Sequence, residues 1–363
     1  HLLAMKRVHN FSAGPATLPL EVLEKAQQEL TSYQGKGASI MEMSHRSPEY
    51  KEINEQAVKR LKEITGADDD WEILFLQGGA SSQFMMAPMN FLSKDQTVDI
   101  IDTGSWSSKA IKEAKLFGNV HVPFSSKEED YTRVPEESDL NPSESSVYTH
   151  FTSNNTIFGT QFPKEPKTNG SLLVCDASSD FLSRPIDLDK YGLIYAGAQK
   201  NLGPAGVTVV MVRKSFMKYQ KPDPLPTMLN YNTHIEKIFN TPPVFAVYMV
   251  NMVLEWILDK GGLDAFKTYN EEKAALLYDE LDKDDFYRAT VMPGSRSNMN
   301  VTFRIGSEDL ESEFLFEAAK HDLVNLKGHR SVGGIRASIY NACPRESVEA
   351  LVEFMQDFRN KKG

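Results

Sequence analysis

The chain has 363 residues, 40% of them hydrophobic and 25% charged, which excludes a disordered tract or a fibre and leaves room for about two or three domains. The formal net charge is −10 with no long Lys/Arg block, which speaks against nucleic acid or an anionic membrane as partner; an anionic substrate would need basic groups gathered locally. Two cysteines, Cys175 and Cys343, exclude a disulfide framework and fit a reducing compartment; with no CxxC and no HExxH the common zinc signatures are absent and no metal is expected.

No apolar run reaches the roughly 18 residues of a membrane span. The opening HLLAMKRVHNF lacks a signal-peptide core of proper length, so a cytoplasmic location is expected, with Met5 as the natural start and His1–Ala4 as a cloning remnant. Residues 8–19 are turn-rich and read as an extended arm. Pro19 then opens a helix with Leu20, Leu23, Ala26 and Leu30 on one apolar face, expected to end near Gly35 and Gly37. A loop carrying Ser44-His45-Arg46-Ser47 leads to a second helix, begun by Pro48 and stopped by Gly66, with Ile53, Ala57, Leu61 and Ile64 in phase.

Trp71–Leu76 is a short apolar strand. Gln77-Gly78-Gly79-Ala80-Ser81-Ser82 follows, then a helical run. Strand, Gly-rich turn and helix start is an arrangement that offers backbone N–H groups and a positive dipole end to a phosphate. It is neither an NTPase P-loop nor a dinucleotide fingerprint. Further strands are expected at 98–101, 121–124, 146–151, 171–175, 193–196 and 207–212. The strand at 98–101 ends in Asp102-Thr103-Gly104-Ser105-Trp106, that at 146–151 in the polar loop of Thr156, that at 171–175 in Asp176 and that at 193–196 before Lys200, while 207–212 is a short β-branched stretch. Strands alternating with helices, with polar residues at the strand ends, define α/β architecture. An apolar helix at 244–258 is broken by Gly261-Gly262. Beyond it come a charged helix at 263–281, strands at 299–304 and 335–339, a helix at 309–319 and a last helix with Val348, Leu351, Val352, Met355 and Phe358 on one face. The acidic clusters 68–70 and 128–130 read as solvated loops. The Asn-x-Ser/Thr tripeptides at Asn154, Asn169 and Asn300 carry no weight in a cytosolic protein.

A phosphate-type turn, a Trp, an Asp and a Lys, each at a strand end, together match pyridoxal phosphate. That cofactor needs an amine for its aldehyde, a phosphate cradle, an acid at its ring nitrogen and a flat face on its ring. The motifs NFSAGPATLP, SHRSPEY, GGASSQF, DTGSW, VCDASS, AGAQKNLGPAG, NTPP and GHRSVGGIRAS together resemble the phosphoserine branch of the class V aminotransferases. The resemblance covers essentially the whole chain. It implies a fold-type I pyridoxal-phosphate transferase: a large domain with a mixed, mostly parallel sheet flanked by helices, and a smaller α+β C-terminal domain. The expected division is an arm at 1–18 packing with the small domain, the large domain at 19–260 and the small domain at 261–363.

The implied reaction exchanges an amino group between O-phosphoserine plus 2-oxoglutarate and 3-phosphohydroxypyruvate plus glutamate, in serine biosynthesis. A second activity on 4-phosphohydroxythreonine, in pyridoxine biosynthesis, is compatible with it. By the same resemblance Lys200 would hold the cofactor and move the proton, Asp176 would pair with the ring nitrogen, and Trp106 would stack on the ring. Thr156 would bond the ring edge. Ala80 and Ser81 backbone and the Gln199 side chain would meet the phosphate, joined by Asn240 and Thr241 of a neighbouring subunit, so a homodimer with a shared site is implied. His45, Arg46, His329, Arg330 and Arg336 would form the substrate's anion-binding set, with Arg336 on the α-carboxylate. Phosphoserine's phosphate and carboxylate need such fixed cations. One departure is Ser81-Ser82, where some members of the family place an arginine in the turn. The alternatives are an alanine–glyoxylate type aminotransferase, a non-enzymatic protein keeping the fold, and a cysteine-desulfurase-like lyase using Cys343.

Overall fold

The computed structural model describes residues 6–363; the expectations about Met5 and His1–Ala4 fall outside them. The chain starts with a two-residue strand, β1 (His9–Asn10), then α1 (Leu20–Glu29). The face of α1 that enters the core is Val22 and Ala26, with Leu23 beside them; Leu20 and Leu30 are exposed, a correction to the expected phase. The helix also stops before Gly35. Its end is followed by Thr31 and Ser32, and the Ser32 hydroxyl accepts from Gly37 N–H, the local bonding by which such residues compete with helix. Helix α2 (Pro48–Thr65) follows the expected pattern: Ser47 accepts from Tyr50 N–H, Pro48 fills the first turn, and Gly66 at φ 74° ends it.

The central sheet takes β2 (Trp71–Leu76), then α3 (Gly79–Phe91), β3 (Thr97–Ile100), α4 (Ser105–Ala114), β4 (Asn119–His121) and β5 (Thr149–Thr152). A small hairpin follows, β6 (Asn154–Asn155) and β7 (Thr160–Gln161), and then β8 (Leu173–Asp176), β9 (Tyr191–Gly197) and β10 (Thr208–Arg213). The strand expected at 121–124 lies earlier, at β4, on the sheet edge; Pro123, which has no N–H for a ladder, falls beyond it. The order is β2-β10-β9-β8-β5-β3-β4, and β10 alone runs antiparallel to the rest. All seven residues of β9 are buried, as a central strand covered on both faces requires. Three further helices are α5 (Tyr231–Glu236), which no periodicity announced, α6 (Val244–Asp259) and α7 (Gly262–Leu281). One sheet face packs against α1, α2 and α6, the other against α3 and α4.

The remainder is β11 (Tyr287–Ala289), β12 (Asn300–Ile305), α8 (Glu308–Lys320), β13 (Leu323–Val324), β14 (Ile335–Ser338) and α9 (Arg345–Lys362). Its sheet is β11-β12-β14, antiparallel, and it has its own apolar core, from Ala274 in α7 to Phe358 in α9. Phe11 of the arm belongs to this core, and β1 pairs in parallel with β13. Phe266 belongs to the first core, so the two cores meet within α7. Asn154 and Asn300 are buried and bond one another, Nδ2 to Oδ1 at 2.8 Å, which keeps both from any modifying enzyme. Among the described residues no helix is long and apolar enough to cross a membrane.

Candidate active site

Because only β10 is reversed, the C-terminal ends of β2, β3, β5, β8 and β9 and the start of β10 lie along one edge of the sheet. After β2 the chain turns sharply at Gly78 (φ 96°), where a Cβ would fall 1.8 Å from Ser82 Oγ. Gly78 offers no side-chain cap to α3, so the first N–H groups, those of Gly79, Ala80 and Ser81, stay open at the positive end of the helix.

After β3 comes a feature that the sequence reading noted only as a strand end. Asp102 is buried with no cation beside it and accepts from four hydroxyls: Ser107 (3.1 Å), Ser108 (3.2 Å), Ser125 (2.7 Å) and Tyr131 (3.1 Å). These bonds tie the first turn of α4, which carries Trp106, to the 125–131 loop. The available signal was an acid at a strand end followed by serines five and six residues on. Lys109, also unanticipated, stands with Nζ 4.5 Å from the Trp106 ring centroid, as its spacing of three on a helix permits.

After β5, Ser153 donates to buried Asp180, and Gln161 Nε2 donates to the same carboxyl at 3.0 Å, fixing the loop that presents Thr156. Thr156 is the meeting point. Its hydroxyl accepts from Lys200 Nζ, and its carbonyl accepts from Arg336 Nη1 at 3.0 Å. Lys200 Nζ also lies 5.6 Å from the Trp106 ring centroid. The arm closes over this lysine: Ala16 N–H donates to Gln199 C=O at 2.9 Å, and a Cβ on Gly14 would come 3.1 Å from Lys200 Cγ.

Asp176 ends β8. Its Oδ1 accepts from Ser178 N–H and Oγ, while Oδ2 takes no hydrogen bond among the described residues. Burial raises its pKa, offset in part by the Ser178 hydroxyl and the Lys200 charge. Lys200 keeps some surface as a residue, but its amine is enclosed. Burial brings it down to about 8, opposed by the Asp176 charge and assisted by Arg336. Only a neutral amine attacks a carbonyl. In the cofactor-free protein, capture of an aldehyde by Lys200 is therefore expected to rise with pH with a midpoint near 8, measured as the rate of colour formation; a midpoint near that of a solvated lysine would contradict the enclosure.

His329 and Arg330 lie in the turn before β14. His329 Nδ1 meets Ser331 Oγ at 2.7 Å, and burial together with the charges of Arg336, Arg330 and Lys109 lowers its pKa. Burial likewise lowers that of Arg336. The structure thus brings together Trp106, Thr156, Asp176, Gln199, Lys200, His329 and Arg336, with Ala80 and Ser81 on the same edge; Arg330, next to His329 in the chain, is exposed and bonds none of them. It does not bring in the other four. His45 and Arg46 sit on the loop before α2, Arg46 exposed, with no side-chain hydrogen bond or ion pair to this group. Asn240 is half-buried and Thr241 exposed, and both bond Gln77: Asn240 Nδ2 donates to Gln77 Oε1 at 2.7 Å, and Gln77 Nε2 donates to Thr241 C=O at 3.1 Å. Cys343 is buried and its thiol is pushed up to about 11, so it is no accessible nucleophile.

The family described as aminotransferase class V matches residues 8–351, and the chain belongs to it. Within that family its similarity is to phosphoserine aminotransferases. That of Niallia circulans is 52% identical over 361 residues, 99% of each chain. The solved structure from Bacillus circulans subsp. alkalophilus superposes with a TM-score of 0.96 at 52% identity, over 99% of this chain and 100% of that one. A pyridoxal-phosphate-bound phosphoserine aminotransferase from Trichomonas vaginalis gives 0.92 at 38% identity, over 96% and 100%.

Class V aminotransferases work with pyridoxal phosphate, and the residues present fit it. Beside the free Asp176 Oδ2 and the open N–H groups of α3, four buried groups along this edge have no hydrogen-bond partner: Thr103 Oγ1, Trp106 Nε1, Thr152 Oγ1 and Thr208 Oγ1. Unpaired buried polar atoms are uncommon, and those among the described residues at the strand ends that carry Asp176 and Lys200 suit a polar group seated along this edge.

Proposed function

We propose that this chain is a transaminase that converts 3-phosphohydroxypyruvate and glutamate to O-phosphoserine and 2-oxoglutarate, in serine biosynthesis. The observation that carries the reading is the convergence of Lys200, Asp176 and Trp106 on one sheet edge with Arg336 and His329 brought against it, in a chain of net charge −10. Relatives named phosphoserine aminotransferase, at about half identity, support the substrate.

Pyridoxal phosphate, when bound, supplies an aldehyde that takes up the amino group and a ring that draws electrons from the substrate α-carbon. The chain does the rest. Lys200 would hold the cofactor; once displaced, its amine, its pKa lowered by burial, would carry the proton from the substrate α-carbon to the carbon of the former aldehyde, and the opposite way in the reverse half. Asp176 holds a proton on the ring nitrogen through its free oxygen. Trp106 covers the ring, and Thr156 keeps Lys200 and Arg336 aligned. The N–H groups of Ala80 and Ser81, with Gln199, meet the cofactor phosphate. Arg336 binds the α-carboxylate in two-point fashion, and His329 with Arg330 faces the distal anion.

His45, Arg46, Asn240 and Thr241 act in the site of a second copy, which makes the working unit a homodimer. Supporting this, all four stand apart from Lys200, and exposed apolar side chains accompany them: Met41, Ile238 and Phe239. The working division is an arm at 1–18, a large domain at 19–260 and a small domain at 261–363, in a cytoplasmic enzyme.

The test mixes the holoenzyme separately with O-phosphoserine, glutamate, serine and alanine and follows bleaching of the cofactor–lysine band. Bleaching by the first two only is expected; equal bleaching by alanine would refute the substrate. Arg336→Met is expected to lower kcat/KM by about 10–100-fold for both acidic substrates, since a charge-assisted pair to the carboxylate they share is lost. Steady-state kinetics checks this.

A further inference from the structure

Lys109 has no place in the scheme above, yet its position is defined. It projects from α4, exposed, with its ammonium 4.5 Å from the centre of the Trp106 ring that Lys200 approaches at 5.6 Å. Its charge is felt at His329, together with those of Arg330 and Arg336. Many lysines of this acidic chain lie beside carboxylates, as do Lys214 with Glu72 and Lys320 with Glu317. Lys109 does not: no carboxylate lies within ion-pair distance of it, and the same holds for Arg330, Arg336 and Lys200 among the described residues. An aromatic face can hold an ammonium in place without neutralising it. The site therefore carries a positioned, uncommitted positive charge beside the Trp106 ring, close enough for His329, a residue assigned to the substrate's distal anion, to feel it.

We propose that Lys109 is a further substrate-binding residue, which reads the second negative charge of the distal phosphate and so favours a phosphate over a carboxylate at that end of the substrate. This rests on the transaminase reading above. A phosphate monoester carries up to two negative charges near neutral pH, with a second ionisation near 6, whereas a γ-carboxylate carries one. The other charged or titratable groups facing the position are His329, Arg330, Arg336 and Lys200. All four are common to wild type and variants, so the ratio between proteins reports the charge at position 109, its effect on His329 included.

The experiment uses holoenzyme of wild type, Lys109→Met and Lys109→Arg in single-turnover half-reactions with O-phosphoserine and with glutamate, at pH 5.5 and 8. At the higher pH, Lys109→Met is expected to lose about tenfold in kcat/KM on phosphoserine, the size of one charge-assisted contact, and about twofold or less on glutamate. The phosphoserine loss should shrink at pH 5.5, where the monoanion dominates, and Lys109→Arg should restore most of it. Equal losses on both substrates at both pH values would mean that Lys109 only steadies Trp106, and no loss at all would also overturn the proposal. A wild type that fails to favour phosphoserine over serine would instead sink the substrate reading itself, and it is seen before any variant is compared.

Discussion

Lys200→Ala is expected to remove the covalently held cofactor and to lower turnover by about 10²–10⁴-fold through loss of the proton-transferring amine alone. Borohydride reduction followed by peptide mass spectrometry should fix the cofactor to the wild type at the 200 position and nowhere in the variant. A reduced adduct that persisted in the variant would move the anchor to another lysine. The fold should survive, because burial disfavours the enclosed ammonium and the variant removes a single donor, that to the Thr156 hydroxyl. Partial rescue by a small primary amine is expected as well. The space over which Gly14 closes is shaped by the lysine stem, and an added amine can occupy it without disturbing Arg336 on the Thr156 carbonyl.

The largest effect on stability is expected at Lys273, which no sequence pattern marked. It is fully buried in α7 and donates to the carbonyls of Ile339 (3.0 Å), Tyr340 (2.7 Å) and Cys343 (2.9 Å), the turn between β14 and α9. Burial lowers its pKa to about 8. Lys273→Met strands the carbonyls of Ile339 and Cys343 at about 1–3 kcal/mol each, that of Tyr340 keeping the Cys343 N–H, while relief of the buried charge returns about 3 kcal/mol. The net loss should be at most about 3 kcal/mol near neutral pH, read from urea denaturation. The sign with pH follows from the depressed native pKa. Between pH 8 and 10 the unfolded chain keeps the proton that the native amine has released, so wild-type stability gains on the variant as pH rises. A gap that narrowed over that range would contradict the assignment. The turn also holds Tyr340, whose hydroxyl donates to Ala13 C=O in the arm, so a weakened turn loosens the cover of the site too.

What the sequence disclosed followed from periodicity and punctuation. Trp106, Asp176 and Lys200 were legible because each follows a short apolar run in a chain where strands alternate with helices, and such folds bind at strand ends. Helix α2 was legible because Ser47, Pro48 and Gly66 bracket it. Helix α1 was misphased because Leu20 and Leu30 share helical spacing with Ala26; which of two overlapping apolar faces is buried depends on α6, more than 200 residues away. The carbonyls around Lys273 and the hydroxyls around Asp102 come from segments far apart in the chain, and no local spacing records them. The placing of His45, Arg46, Asn240 and Thr241 was the least legible, because their expected role needs a surface that one chain cannot supply.

The pairing of β1 with β13 joins His9 to Leu323, and the same arm lays Gly14 and Ala16 against the lysine loop. During synthesis at about 5–20 residues per second the arm therefore waits roughly 15–60 s for its partner strand to be made. Arg336 arrives later still. The large sheet can form on the ribosome, but a nascent chain has neither the cover over Lys200 nor the arginine beside it. Tight retention of the cofactor belongs to the finished polypeptide, and a ribosome stalled before the codon for Leu323 would hold a folded sheet with an open site.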